Sequence, residues 1–183
     1  LSSTVPAEGD SRAAVLQALS SRILGHAEPK TYAEFLRQRV ETNYLTGALL
    51  IPQEHAVSFL QDAKARRAIS IEDLRDAYSV SYETAAHRFT NLATEHLDIP
   101  VHFLKVHESG TITKAYENDD VNFPTDRLGS IEGQMCCRRW TSRAVFDIPD
   151  KFNPYYQYTD TGNGTYWCTA RVEGSSEGAH SVS

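Results

Sequence analysis

The sequence predicts an α+β protein: an N-terminal helical subdomain followed by a small antiparallel β-rich C-terminal region. Three observations predict it. Apolar residues recur at helical spacing from Ser11 to about Leu97. From Val101 that period gives way to short strand-like runs rich in aromatic and β-branched residues. Glycine-bearing turn signals, Glu108-Ser109-Gly110 and Thr161-Gly162-Asn163-Gly164, separate those runs in pairs. The expected organisation is a flexible tail over 1–10, a helical ligand-binding subdomain over 11–99, a cysteine-containing β region over 100–173 and a second flexible tail over 174–183.

Taken in order, Val15, Leu19 and Ile23 form an i, i+4 ridge on a first helix. A second helix carries Phe35, Leu36, Val40, Tyr44, Ala48 and Leu49 as its stripe. Thr31 with Glu34 three residues on reads as its capping box, and Pro52 stops it. A third helix holds Ala56, Phe59, Leu60 and Ala63; IEDLRDAY and SYETAAHRFTNLATEHL supply two more, ended by Ile99-Pro100. VHFLKVH with TITKAYE, and PYYQYTD with TYWCTARV, read as two hairpins.

The 183 residues are 40% hydrophobic, enough for a core without disulfide or metal support. A net charge of −6 argues against gripping DNA through this segment, since such affinity rests on neutralising phosphates. No apolar run approaches the ~20 residues of a membrane helix, and no membrane partner is expected. The chain lacks an initiator Met, so a piece of a longer protein is expected. Three cysteines, an odd count, fit a secreted disulfide framework badly, so a reducing cytoplasm is the expected compartment.

Two of those thiols, Cys136 and Cys137, are neighbours in GQMCCRRW; the third, Cys168, lies in TYWCTARV. A free cysteine is commonly a small buried apolar residue. A disulfide between adjacent cysteines needs a strained ring. Neighbouring side chains on an extended chain point to opposite faces, so the tandem pair chelates one small ion poorly. A cube-shaped iron–sulfur cluster offers separate iron corners, and Cys136, Cys137 and Cys168 could supply three thiolates. Arg138 and Arg139 would offset its charge and Trp140 would exclude water. The fourth ligand stays open among His102, His107, a partner chain and a small molecule.

IPVHFLKVHESGTITKAY, GQMCCRRWTSRAVFDIP and TYWCTARVE, with ETNYLTGALLIP and VSYETAAHRFTNL upstream, resemble the C-terminal domain of the short-chain fatty-acyl transcriptional regulators of actinobacteria. The resemblance runs from about Glu41 to Glu173 and is strongest to the propionate-catabolism (methylcitrate-cycle) type. Where relatives read Cys-Pro-x-Trp, this chain reads Cys137-Arg138-Arg139-Trp140. The resemblance implies a non-enzymatic, acyl-CoA-sensing domain with a [4Fe-4S] cluster. It further implies a homo-oligomer (dimer or tetramer), with DNA bound through an N-terminal domain outside this segment.

TNYLTGALLIP also resembles a helix of a zinc metalloprotease-like group in which the residue at the place of Glu41 is a metal ligand. That chemistry needs HExxH, which no histidine here begins. A dead site reused as a ligand cavity is expected, although an exposed helix carboxylate is an equally simple account of Glu41. IEDLRDAYSVSYETAAHRFTNL has a helix-turn-helix look, but its second helix would offer Tyr82 and Glu83 to bases, with Arg88 as the nearby cation. Packing around a cavity is the expected use.

Coenzyme A or a short-chain acyl-CoA such as propionyl-CoA needs cations or amides for its phosphates and a narrow apolar pocket for the acyl group. Lys64 and Arg67, on one helical face, are the first phosphate candidates, although cations also favour helix C-termini. Arg88, Arg143 and the N-terminus of the Ser81 helix are rivals. Tyr44, Gly47 and Phe103 are candidate acyl-pocket liners; Gly47 mid-helix could admit a ligand or a close neighbour helix.

Overall fold

The protein is described by a computed structural model over residues 11–117, 123–151, 153–161, 164–175 and 178–183; the expected tail over 1–10 lies outside these residues. The chain divides into two compact units, Leu1–Arg88 and Phe89–Ser183. Among the described residues no helix is long and apolar enough to cross a membrane.

The first unit is helical: α1 (Ser11–Ile23), α2 (Tyr32–Leu50), α3 (Gln53–Ala65), α4 (Ile71–Tyr78) and the start of α5 (Tyr82–His96). Side chains cap these helices where the sequence signals it. Thr31 Oγ1 accepts from the Glu34 amide at 3.1 Å, and the Glu34 carboxylate accepts from the Lys30 amide at 2.7 Å. The box therefore closes one residue further out than its simplest form. Ser70 and Ser81 accept from the Asp73 and Thr84 amides, each at 3.1 Å.

Three helices end in left-handed residues that are not glycine: Ser79 after α4, Arg67 after α3 and Asp98 (φ +51°) after α5. Ser79 (φ +51°) closes α4, and Arg12 reaches across to donate to the Ser79 and Tyr78 carbonyls at 2.6 and 3.0 Å. Arg67 (φ +56°) closes α3, with the Ala68 amide donating to Ala63 O at 2.9 Å and the Arg67 amide to Lys64 O at 3.0 Å. Arg67 has thus left the helix, and the expectation that it shares a helical face with Lys64 is corrected.

The expected inward stripes hold for α3 and fail for α1 and α2. Ala56, Leu60 and Ala63 are buried. Val15 and Ile23, by contrast, are 67% and 61% exposed, and Val40 is 67% exposed. Ser20, Thr42 and Thr46 are buried instead. Thr46 Oγ1 donates to Thr42 O at 2.7 Å and is joined to Ser20 Oγ at 3.1 Å. Those bonds supply the partners that a buried hydroxyl needs. Small hydroxyls thus face inward on this hairpin while hydrocarbon faces out.

The second unit holds a five-stranded antiparallel sheet, in the order β2-β1-β5-β4-β3. β1 (His102–His107) and β2 (Ile112–Glu117) form the first hairpin, with an irregularity at Lys105/Val106. β3 (Tyr155–Thr161) and β4 (Gly164–Ser175) form the second, in register from Tyr155↔Ala170 to Thr161↔Gly164. Gly162 and Asn163 of its turn lie outside the described residues. Leu104, Val106, Ile112, Phe123 and Cys136 form the core, with Trp140 and Tyr166 packed against it.

The expected flexible tail over 174–183 is corrected by β5 (Gly178–Val182), which lies at the centre of the sheet. Val182 pairs with Lys105 on one side and Arg171 on the other, and Ser183 exchanges two 2.9 Å bonds with Leu104. A short, polar segment becomes a buried strand because its amides and carbonyls satisfy those of β1 and β4.

Candidate functional site

Two thiols of the second unit, Cys136 and Cys168, meet α6 (Thr141–Ala144), a single helical turn that continues into a 3₁₀ turn, Val145–Asp147. On the sheet, Cys168 shares one face of β4 with Tyr166 and Ala170, and it pairs with Gln157 of β3. On the other side stands the loop that carries Cys136, whose amide donates to Gly110 O at 2.9 Å. Gly110 is needed here twice over. Its φ is +97°, and a side-chain carbon on it would overlap the Arg143 guanidinium.

Each sulfur has its own environment. Cys136 belongs to the hydrophobic core. Burial pushes its thiol up to about 11, against the opposing pull of the Arg143 charge and a hydrogen bond with Ser142. The neutral thiol lies 3.7 Å from Cys137 O, the acceptor for its proton. Cys137 is exposed, in contrast to its buried neighbour. Cys168 is half-buried. Burial pushes it upward, but hydrogen bonds from His102, Thr159 and Thr141 outweigh that and hold it below the ordinary thiol value.

Cys136 and Cys168 thus find hydrogen-bond partners on consecutive residues, Ser142 and Thr141. Thr141 and Thr159 hydroxyls stand 3.5 Å apart beside Cys168, and Ser142 Oγ is 2.6 Å from Ser183 Oγ. His102 packs against Phe123 and Tyr166, at ring separations of 5.4 and 5.5 Å. Trp140 meets Phe123 edge-on at 5.3 Å. The surroundings are polar at Cys168 and apolar at Cys136. Among the described residues no group of three or more His, Cys, Asp or Glu side chains is arranged to hold a metal ion.

Of the two histidines weighed as a fourth ligand, His102 stands at a cysteine. His107 instead lies 2.8 Å from Ser109 Oγ and packs against His180. Arg143, weighed as a phosphate partner, stands beside Cys136 and over Gly110; Arg138 and Arg139 are exposed. Ser142, Thr141 and Thr159 went unsingled in the sequence, because serine and threonine carry no spacing signal for a thiol partner.

The candidate ligand residues divide between the units. In the first, Arg88 is buried, donates to Ile51 O at 3.2 Å and lies over the Tyr44 ring at 5.7 Å. Gly47 has open space where a side chain would stand, so no neighbour helix uses its gap. Lys64 and Arg67 are exposed. In the second unit Phe103 is only 1% exposed and carries Lys114 Nζ 5.5 Å over its ring. That burial commits Phe103 to the core. Glu41 Oε2 lies 2.8 Å from His26 Nε2, and Arg37 stands 3.7 Å from the same carboxylate. Tyr82 and Arg88, which a DNA-reading second helix would present outward, are both buried, in keeping with the expected packing role.

No family model matches the chain. Over 111 residues, 60% of this chain, it is 32% identical to the propionyl-CoA carboxylase regulator of Cereibacter sphaeroides. Its fold is similar to that of a solved Mycobacterium tuberculosis transcriptional regulator, with a TM-score of 0.68 over 93% of this chain at 20% identity. The chain spans 22% of the length of the first protein and 54% of the solved chain of the second.

Proposed function

We propose that this chain is the ligand-sensing part of a transcriptional regulator of short-chain fatty acid metabolism, propionate above all. The observation that carries this is its 32% identity to a regulator named for propionyl-CoA carboxylase. In this reading the chain catalyses nothing. It binds coenzyme A or a short-chain acyl-CoA, assembles as a homo-oligomer, and acts on DNA through a domain elsewhere in the full protein. The effector works by binding one arrangement of the protein more tightly than another.

The second element is an iron–sulfur cluster held by Cys136, Cys137 and Cys168. Two of the three thiols find partners on consecutive residues of α6, and Cys137, exposed in this structure, would have to turn inward to join them on one cluster. Hydrogen bonds hold Cys168 toward its thiolate, whereas at Cys136 burial outweighs the Arg143 charge and favours the neutral thiol, so a cluster would have to displace that proton on binding. His102, already at Cys168, is the protein side chain best suited to complete the set. When bound, the cluster would supply an anionic, oxidation-sensitive centre; the surrounding residues exclude water and set its charge.

For the effector, Lys64 and Arg67 are the proposed phosphate contacts, with Tyr44 and Gly47 at the acyl end. Arg88 is less suited because its guanidinium is already engaged. The test is an air-free preparation followed by iron and sulfide assays and by native mass spectrometry with coenzyme A, propionyl-CoA and a long-chain acyl-CoA. Bound iron with sulfide, and retention of coenzyme A and propionyl-CoA over the long-chain thioester, are expected. A colourless protein without iron after reconstitution removes the cluster. Equal indifference to all three ligands removes the effector.

A further inference from the structure

α1 packs against α2, and the two helices leave between them a groove of about 390 Å³. Each helix lends it one face. The lining residues recur at i, i+3, i+4 and i+7, from Ala14 to Ser21 on α1 and from Phe35 to Thr42 on α2. The groove lies within the first unit and contains none of the residues weighed above for the effector or the cluster. Its charge balance is unlike that of the chain. The chain carries −6 overall, yet no aspartate or glutamate lines the groove. Arg39 does line it, and among the described residues its guanidinium makes no ion pair or hydrogen bond. The acids nearby on α2 are already matched: Glu41 by His26 at 2.8 Å and Arg37 at 3.7 Å, and Glu34 by the Lys30 amide at 2.7 Å.

The remaining polar groups of the groove are held in place. His26 donates through Nε2 to Glu41 Oε2, and its Nδ1 faces Thr42 Oγ1 at 3.4 Å. Gln17 donates through Nε2 to Asn43 Oδ1 at 3.1 Å, and Gln38 through Nε2 to Ala27 O at 2.9 Å. Each carboxamide is thereby pinned by its nitrogen, with its carbonyl oxygen left as an acceptor. Phe35, 45% exposed and stacked on Tyr32 at 6.2 Å, supplies an aromatic wall. Ala14 and Ala18 on the other helix are small enough to leave room beside it. An unmatched cation, two pinned acceptors and an aromatic ring converging on one groove are the make-up of a small-molecule site. The guanidinium suits a carboxylate, which it can hold through paired hydrogen bonds. The two carbonyl oxygens suit an N–H or O–H, and the ring and alanine methyls suit an apolar group.

We propose that the α1–α2 groove binds a small organic carboxylate that also carries a hydrogen-bond donor and an apolar group, with Arg39 as its anchor. This site goes beyond the reading above, and its test uses neither coenzyme A nor iron.

Ligand-observed nuclear magnetic resonance titrations on the full chain decide it, with N-acetylphenylalanine as the probe. The probe is expected to bind with a Kd of about 0.1–1 mM, the range for a ligand of its size. Its neutral carboxamide analogue should bind about tenfold more weakly or worse, because the charge-assisted bond to Arg39 is lost. 3-Phenylpropionate, which keeps the acid and the ring but has no N–H, should bind about threefold more weakly. Arg39→Gln should weaken the probe about tenfold. Ala18→Leu should abolish binding by filling the groove while removing no polar group. Both positions are exposed, and far-ultraviolet circular dichroism establishes that each variant folds. No binding at about 10 mM probe, a probe no tighter than either analogue, or binding indifferent to either substitution would each overturn the proposal.

Discussion

The α1–α2 hairpin and the five-stranded sheet solve the same problem in opposite ways. The sheet buries Leu104, Val106 and Ile112 together with its central strand, and it draws even its last residues into the hydrogen-bond ladder. The hairpin buries Ser20, Thr42 and Thr46 and leaves Val15, Leu19, Ile23 and Val40 outside. Hydrocarbon left in water contributes nothing to folding, because the driving force is proportional to the apolar area removed from water. The sheet unit therefore draws its stability from inside itself. The hairpin holds its shape by capping, hydroxyl bonds and helix propensity, with several large apolar side chains left exposed.

The largest test of that contrast is a pair of truncations. Leu104→Ala should cost about 2–5 kcal/mol, the ordinary cost of deleting a buried leucine side chain. Leu19→Ala in the exposed ridge of α1 should change stability by no more than about 0.5 kcal/mol. Urea unfolding of both variants measures this. Equal losses would mean that the ridge is buried within the chain in solution.

A smaller effect sharpens the sheet side. Gly110→Ala should cost on the order of 1–3 kcal/mol, from a left-handed backbone and a displaced Arg143 together. Arg143→Ala should soften that loss, because it removes the obstructing guanidinium while leaving the backbone penalty. A double-mutant cycle in thermal unfolding reads the coupling. Full additivity would separate Gly110 from Arg143.

The smallest effect is on reactivity and not on stability. In reduced, metal-free protein, Cys168 should alkylate with a midpoint pH below that of an ordinary thiol, and Cys136 with a midpoint well above it. The sign follows from the environments. Hydrogen bonds to Cys168 favour its thiolate, whereas burial of Cys136 favours its neutral form. His102→Ala should move the Cys168 midpoint upward and leave that of Cys136 in place. Peptide-resolved mass spectrometry after pH-stepped iodoacetamide pulses follows each sulfur separately. By the same sign, Cys136 contributes stability that is fully present below the ordinary thiol pKa near 9 and is lost as pH rises toward about 11. A Cys168 midpoint at or above the ordinary value would break the assignment of its three hydrogen-bond donors.

Much of the fold was legible in the residues. IEDLRDAY is α4 from end to end, and the Thr31, Ser70 and Ser81 caps stand where hydroxyls precede helical runs. Both hairpins follow from their flanking strands and turns. These are local effects, decided within a few residues by capping, backbone freedom and side-chain alternation. The tandem cysteines differ in burial, Cys136 inside and Cys137 exposed. The thiol partners were not legible, because Thr141, Thr159 and His102 reach Cys168 from three separate segments.

The sequence by itself determined where α1 to α5 and the two hairpins lie, since local propensity and hydrogen bonding suffice for that. Only the tertiary structure decided which face of each helix is covered, that GAHSV fills the middle of the sheet, and which sulfur is held toward the thiolate. Periodicity reveals that a helix has an apolar face but not what lies against it. Burial, strand pairing and the electrostatics of a thiol depend on neighbours distant in the chain, and those exist only once the fold has formed.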